Sequence, residues 1–408
     1  MTETQARALN IVCLASYFKG GDFIRECKRL GCRVTLVTRE KLLQEDWPRE
    51  SLDDLIGVPN EASPDLFIHA VSQLARPHKL DRVIALEEYD VITAALVREH
   101  LRLPGMGSTT ARLFRDKLAM RVEAREAGIR VPDFVHVLNY NELGEYMTRV
   151  PPPWVLKPRS DVSAVGIKKM EESEQVWRAI DMLDARESLK ERSSYYLLER
   201  FVAGEVYHVD SLVERGKVIF AGANKYGRPP MDVAHQGGVF ISHTVKHGSK
   251  EQKELFKINR KLIGALGLRR GVTHAEFIRS AEDGHFYFLE IAARVGGAYI
   301  AETLEAASGI NLWRDWARIE IAGGKAGIEM EPPRKEYGGV ALSLARQEYP
   351  DTSAYTDPEI FYRVNKRHHV GLVVRSPDLG RVTELLDQYA RRFVDEFSAV
   401  VPPLERPE

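Results

Sequence analysis

The sequence predicts a chain of mixed α/β and α+β class, divided into two or three domains. Three observations carry that prediction. The 408 residues suffice for more than one hydrophobic core. Residues 9–38 run apolar stretch, helical stretch, apolar stretch, the pattern of a parallel βαβ unit. Residues 273–297, THAEFIRSAEDGHFYFLEIAARVGG, read instead as an antiparallel hairpin.

Taken in order, LNIVCLA is the first strand, SYFKGGD a turn, FIRECKRLG a helix ended by Gly31, and CRVTLVT the second strand. The Gly20-Gly21 pair is not a GxGxxG pattern, so no dinucleotide site is inferred. A later strand, DRVIALE, leads through Glu87, Glu88 and Tyr89 into the helix DVITAALVREHL. Open α/β sheets place functional groups at the carboxyl ends of strands, so Glu87 or Glu88 is expected to line a substrate crevice. The same acids equally suit the positive end of the helix dipole. PGMGS at 104–108 reads as a hinge. Beyond it a single helix capped by Thr109 or Thr110 is expected to run to Gly128. It contains Lys117, and a lone helical lysine is ordinarily solvated.

Prolines stiffen the approach to a strand at 154–157, which ends on Lys157. A loop of small and polar residues follows, through Ser163 to Gly166, and Ile167–Met170 restarts a strand. A strand-end lysine beside a run of backbone amides suits a phosphate clamp, and it also suits an ordinary hairpin loop. SEQVWRAIDMLDARESLK is amphipathic and helical. YYLLERFVAGEVYHVDSLVERGKVIFAGANKYG reads as three strands, with Glu199 closing the apolar run and Glu205 after Gly204. The stretch around Lys225, Tyr226, His235 and Gln236 is a candidate substrate wall, although Lys225 on a turn can equally be solvated. EQKELFKINRKLIGALGL is a helix leading into the hairpin. Residues 298–324 are helical in two pieces broken at Gly309, and residues 336–408 form a small αβ tail of two strands and a helix.

The hairpin holds the chemistry. With its turn centred near Asp283, Glu276 faces Glu290 across the ladder. Like charges so placed destabilise a sheet unless a cation lies between them. Carboxylate oxygens suit a hard divalent ion, Mg²⁺ or Mn²⁺. Arg294, four residues beyond Glu290, shares its parity and can meet a phosphate from the same side. The alternative is a hairpin with two solvated glutamates.

The totals agree with a soluble globular protein. The formal charge is −1, which favours neither nucleic acid nor an anionic membrane as partner. Cys13, Cys27 and Cys32 form no CxxC pair and fit a reducing cytosol. No signal peptide and no run of about 18 apolar residues is seen, so a cytoplasmic location is expected.

Lys117, Lys157 with its loop, Glu199, Glu205, Glu276, Glu290 and Arg294, in that order, resemble the ATP-grasp superfamily, nearest to its biotin-carboxylase-like and L-amino-acid-ligase branches. The resemblance covers roughly residues 9–330. It implies an N-terminal Rossmann-like domain (1–105), an ATP-grasp domain (106–330) with a lid subdomain at about 130–196 and a large αβ subdomain, and a C-terminal αβ extension (331–408). It implies ATP and Mg²⁺ as cofactors. Lys117 and Lys157 would contact phosphates, the loop with Ser163 and Gly166 would cover them, Glu199 would hold the adenine edge, and Glu205 the ribose. Glu276 and Glu290 would ligate the metal, and Arg294 would stabilise the transferring or acyl phosphate. Many relatives have an asparagine two residues after the second glutamate; here it is Ala292, facing His274 in the register above. The implied activity is a carboxylate–amine ligase working through an acyl phosphate. A bicarbonate-using carboxylase and a catalytically weak ATP-binding regulator are the alternatives. Glu87, Lys225 and His235 are the substrate candidates. Dimers are common in the superfamily and no stretch marks an interface, so a homodimer stands beside a monomer as the expected assembly.

Overall fold

A computed structural model describes residues 7–160, 166–185, 192–229, 233, 237–324 and 327–399. The chain begins with β1 (Asn10–Ala15), α1 (Gly21–Arg29), β2 (Arg33–Arg39), β3 (Asp54–Val58), α2 (Pro64–Ala75), β4 (Arg82–Ala85) and α3 (Asp90–His100). Its sheet is parallel, in the order β3-β2-β1-β4. All of β1 is buried because helices cover both faces, so its side chains are apolar almost without alternation. Each buried Val, Leu or Ile there is worth about 1.5–3 kcal/mol. The order reverses between β1 and β4, and Ser16 and Glu87 lie just beyond the carboxyl ends of those two strands.

The single helix expected from Thr109 to Gly128 is two: α4 (Ser108–Arg112) and α5 (Lys117–Glu126). Asp116 breaks it. Its carboxylate accepts from the backbone N–H groups of Leu118 and Ala119, capping α5 and making Lys117 the first helical residue.

A second sheet, in the order β5-β8-β6-β7, comprises β5 (Phe134–His136), β6 (Trp154–Pro158), β7 (Lys168–Met170) and β8 (Tyr196–Arg200). Helices α6 (Tyr140–Arg149) and α7 (Ser173–Asp184) close one face, packing Leu143, Tyr146, Val176 and Ile180 on Trp154, Leu156 and Leu198. The register pairs Val155 with Glu199 and Lys157 with Leu197. Lys157 and Glu199 therefore share the opposite face.

The third sheet has eight strands, all antiparallel, in the order β13-β12-β9-β10-β11-β14-β16-β15. They are β9 (Gly204–Glu214), β10 (Lys217–Tyr226), β11 (Phe240–Thr244), β12 (Gly271–Ser280), β13 (Phe286–Ala292), β14 (Tyr337–Leu344), β15 (Ile360–Arg363) and β16 (His369–Ser376). Helices α8 (Lys250–Leu266), α9 (Ile300–Ser308), α10 (Leu312–Ala322) and α11 (Leu379–Glu396) accompany it. Gly309 follows α9 at a φ of 80°, the break read from the sequence. The tail is not a separate sheet: β14 pairs with β11, so residues 337–376 extend the sheet that carries the hairpin.

Candidate active site

The hairpin register is the one expected. Glu276 is opposite Glu290 and His274 opposite Ala292, with a bulge after Glu276 that adds one residue toward the turn. The two carboxylates are not bare. Lys117 Nζ lies 3.1 Å from Glu290 Oε2. Tyr226 donates its hydroxyl to Glu276 Oε1 at 2.7 Å, and His274 Nε2 is 3.4 Å from the same oxygen. Burial would raise the Glu290 carboxyl, but the Lys117 and Lys157 ammonium groups reverse this and bring it down to about 2.

Lys117 is buried at the start of α5, not solvated as a helical position by itself would suggest. One turn on, Arg121 is buried as well; it donates to Glu199 Oε2 and to the Leu289 carbonyl. Lys157 Nζ donates to the other oxygen of Glu199. Burial lowers the Lys157 ammonium to about 8, with Glu199 only partly offsetting it. Burial would likewise raise Glu199, and Arg121 and Lys157 hold it below the ordinary carboxylate range. Three cations from α5 and β6 thus meet two carboxylates, Glu199 and Glu290. Clustered cations beside the opposed carboxylates Glu276 and Glu290 can complement a polyphosphate with its divalent cation.

Arg294 follows β13 and reaches the N-terminal sheet. Its Nε is 3.0 Å from Glu88 Oε2 and 3.9 Å from Glu87 Oε1. Burial would lower its guanidinium, and Glu88 and Glu87 raise it beyond the usual arginine range. Glu88 also accepts from Arg115 Nη1 at 2.6 Å, and Arg115 Nη2 donates to the Ser160 carbonyl at 2.6 Å. Arg159 bonds Asp116, and its carbonyl accepts from the Lys117 N–H at 2.7 Å. One carboxylate of the first sheet therefore ties Arg294 to the base of the loop after β6. Glu87 forms an ion pair with Lys19, 2.6 Å away in the loop after β1.

The structure brings together Lys117, Lys157, Glu199, Glu276, Glu290 and Arg294, with Glu87 at the rim. It does not bring Glu205 and Lys225 to them. Those two pair at 2.6 Å with each other, and Tyr207 donates to Glu205 at 3.1 Å. Glu276 pairs with His208, whereas Glu205 pairs with Arg279, which reaches Glu251 of α8. Three positions along a strand reverse the side, so Glu205 and Lys225 face α8 and not the carboxylate face. Glu199 is engaged by two cations, Arg121 and Lys157, as their counter-ion. Gly166 is described, at a φ of 72°, where glycine is favoured. Ser163 and His235 lie outside the described residues. Sequence reasoning missed Arg115, Arg121, His208 and Asp210, and treated Glu88 only as an alternative to Glu87. Their one local signal is spacing: Lys117 and Arg121 are four apart on a helix, and His208 and Asp210 two apart on a strand.

A cavity of about 740 Å³ lies between β11 and α11, lined among others by Ile241, His243, Leu386 and Arg391. It contains none of these candidates. Among the described residues no helix is long and apolar enough to cross a membrane.

Two family models match the chain: an ATP-grasp N-terminal domain over residues 24–105 and an ATP-grasp domain over residues 150–302. The L-arginine-specific L-amino acid ligase of Bacillus subtilis is 25% identical over 245 residues, which is 59% of this chain and 58% of that protein. The crystal structure of an L-amino acid ligase from Bacillus licheniformis superposes with a TM-score of 0.75 at 19% identity, covering 97% of this chain and 99% of that one. The biotin carboxylase domain dimer of Hydrogenobacter thermophilus 2-oxoglutarate carboxylase, in complex with MgADP, ADP and bicarbonate, superposes at 0.71 with 16% identity, covering 95% and 90%. These structural likenesses concern the fold.

Proposed function

We propose that this chain, which belongs to the ATP-grasp superfamily, is an ATP-dependent ligase that joins a carboxylate to an amine and releases ADP and phosphate. The observation that carries the reading is the buried group of Lys117, Lys157 and Arg121 set against the opposed pair Glu276 and Glu290, with Arg294 beside it. The similarity to an L-amino acid ligase supports amino acids as the substrate class.

The residues present fit a nucleotide and a divalent cation. Lys117, Lys157 and Arg121 would meet the phosphates of ATP. Glu276 and Glu290 would hold Mg²⁺ or Mn²⁺, which supplies neutralisation of phosphate charge when bound. Arg294 would hold the reacting carboxylate and then its phosphate. A carboxylate is a poor electrophile because its leaving group would be oxide. Its oxygen instead attacks the γ-phosphorus, the bond from that phosphorus to the β–γ bridging oxygen breaks, and ADP departs. The amine nitrogen then attacks the acyl carbon. The bond to the phosphate oxygen breaks, phosphate leaves, and the nitrogen gives up a proton. Positioning and charge complementarity do the work, so no serine or cysteine nucleophile is needed. Glu87, carrying negative charge beside Arg294, would meet the ammonium of an amino acid whose carboxylate Arg294 would hold. A homodimer and a cytoplasmic location accompany this reading as expectations.

The test is hydroxylamine trapping with ATP and Mg²⁺ over pools of amino acids and other small carboxylic acids. A hydroxamate with one pool is the expected result and identifies the carboxylate. ADP release driven by bicarbonate, with no hydroxamate from any pool, would replace the ligase by a carboxylase.

A further inference from the structure

The carboxylate face of the large sheet carries a second polar group that the chemistry above does not use. His208 and Asp210 on β9, Tyr226 on β10, Ser242 on β11 and His274 on β12 share the face of Glu276. All five are buried. Asp210 sits between the imidazoles: Oδ2 is 2.6 Å from His208 Nδ1, and Oδ1 is 2.9 Å from His274 Nδ1. A carboxylate only accepts, so both Nδ1–H groups donate to it. His208 ends the row on Ser242 Oγ at 2.8 Å. His274 carries it the other way, with Nε2 3.4 Å from Glu276 Oε1 and 3.4 Å from the Tyr226 hydroxyl.

The ligand atoms of His208, Asp210 and His274 lie within 4.8 Å of one another, which by itself would suit a cation. The hydrogen bonds argue otherwise, because each Nδ1 is already committed to the oxygen it would have to release. The row leads to Glu276 instead. Both of its contacts there fall on Oε1. Ala292, opposite His274, offers no polar side-chain atom, so a site built on Glu276 and Glu290 leans on how those two are aimed. The loop after Arg294 closes on the same row: a Cβ on Gly296 would lie 2.8 Å from Asp210 Oδ1 and 3.1 Å from His274 Nδ1.

We infer that Asp210, His274 and Tyr226 are positioning residues for a divalent cation, holding one oxygen of Glu276 inside the sheet so that the other is presented to the ion. The inference rests on reading Glu276 as a metal ligand. Partners that orient ligating carboxylates are worth about ten- to a hundredfold in metal affinity.

The test is Mn²⁺ binding to the full chain with saturating ADP, followed by electron paramagnetic resonance, for the wild type, Asp210→Asn, Tyr226→Phe and Glu276→Gln. Melting temperature and metal-free ADP affinity are recorded alongside. Wild-type uptake beyond that of ADP alone, lost in Glu276→Gln, supports the metal reading; no such uptake in the wild type overturns that reading and the inference with it. About a tenfold or greater loss in Asp210→Asn, with metal-free ADP affinity unchanged, is the expected result. Wild-type Mn²⁺ affinity in a folded Asp210→Asn overturns the positioning role while leaving Glu276 as ligand. If Asp210→Asn does not fold, Tyr226→Phe decides, since it removes one hydroxyl and keeps the ring: a severalfold loss supports the role and an unchanged affinity overturns it.

Discussion

Replacing Glu199 by glutamine tests whether this residue is the counter-ion of a phosphate site. The carboxylate is buried and accepts from both Arg121 and Lys157, themselves buried. Glutamine keeps the shape and one acceptor but leaves two cations without their anion. Breaking a buried ion pair from one side costs about 3–5 kcal/mol. Part of that cost is relieved by losing the Lys157 proton, whose ammonium is already lowered to about 8. Urea unfolding of Glu199→Gln at pH 7 should therefore show a loss of about 3–5 kcal/mol, and a smaller loss at pH 9. The double variant Glu199→Gln with Lys157→Met should recover at least about 1 kcal/mol relative to additivity, because the two side chains touch. Added ADP should stabilise Glu199→Gln more than the wild type, since phosphates supply the missing negative charge. A loss below about 1 kcal/mol at pH 7, additive with Lys157→Met, would refute the counter-ion account.

Four further outcomes are expected. ADP affinity should fall as pH rises through about 8, because only the protonated Lys157 attracts phosphate; Lys157→Arg should flatten that profile in a fluorescence titration. The sign for stability is opposite: with folded Lys157 at about 8 and the unfolded side chain near its ordinary 10.5, the unfolded chain binds more protons in that window, so nucleotide-free stability contributed by this group rises from pH 8 to 10.5. Glu290→Gln should abolish ADP formation while leaving the circular dichroism spectrum unchanged, and wild-type-like turnover would sink the metal assignment. Glu88→Ala removes the shared partner of Arg115 and Arg294, so it should cost at least about a hundredfold in kcat/KM for the carboxylate, the scale of about 2.7 kcal/mol of lost positioning; a change below threefold would show that Arg294 is oriented without it.

What could be read from the sequence was whatever is local in the chain. The hairpin register followed from a turn signal midway between two runs of β-forming residues, and Glu276 duly faces Glu290. The βαβ unit and the helix break at Gly309 followed from periodicity and punctuation in the same way. The break at Asp116 was also local but lay hidden, because a helical apolar period ran through it while the carboxylate capped the second piece. Pairing between distant segments was not legible. His274 meets Asp210 across 64 residues, and Arg294 meets Glu88 across 206, because β12 lies beside β9 and the hairpin's end docks on the first sheet. Glu205 was assigned by order along the chain and Lys225 by its place in a candidate substrate loop, and the register turned both to the α8 face. The sequence alone determined which residues could bind a cation or a phosphate, since that is set by side-chain chemistry and local spacing. Only the tertiary structure decided which of them meet, which carboxylate neutralises which cation, and which oxygen of Glu276 is already committed, because those depend on strand order and on faces brought together by burial rather than by sequence distance.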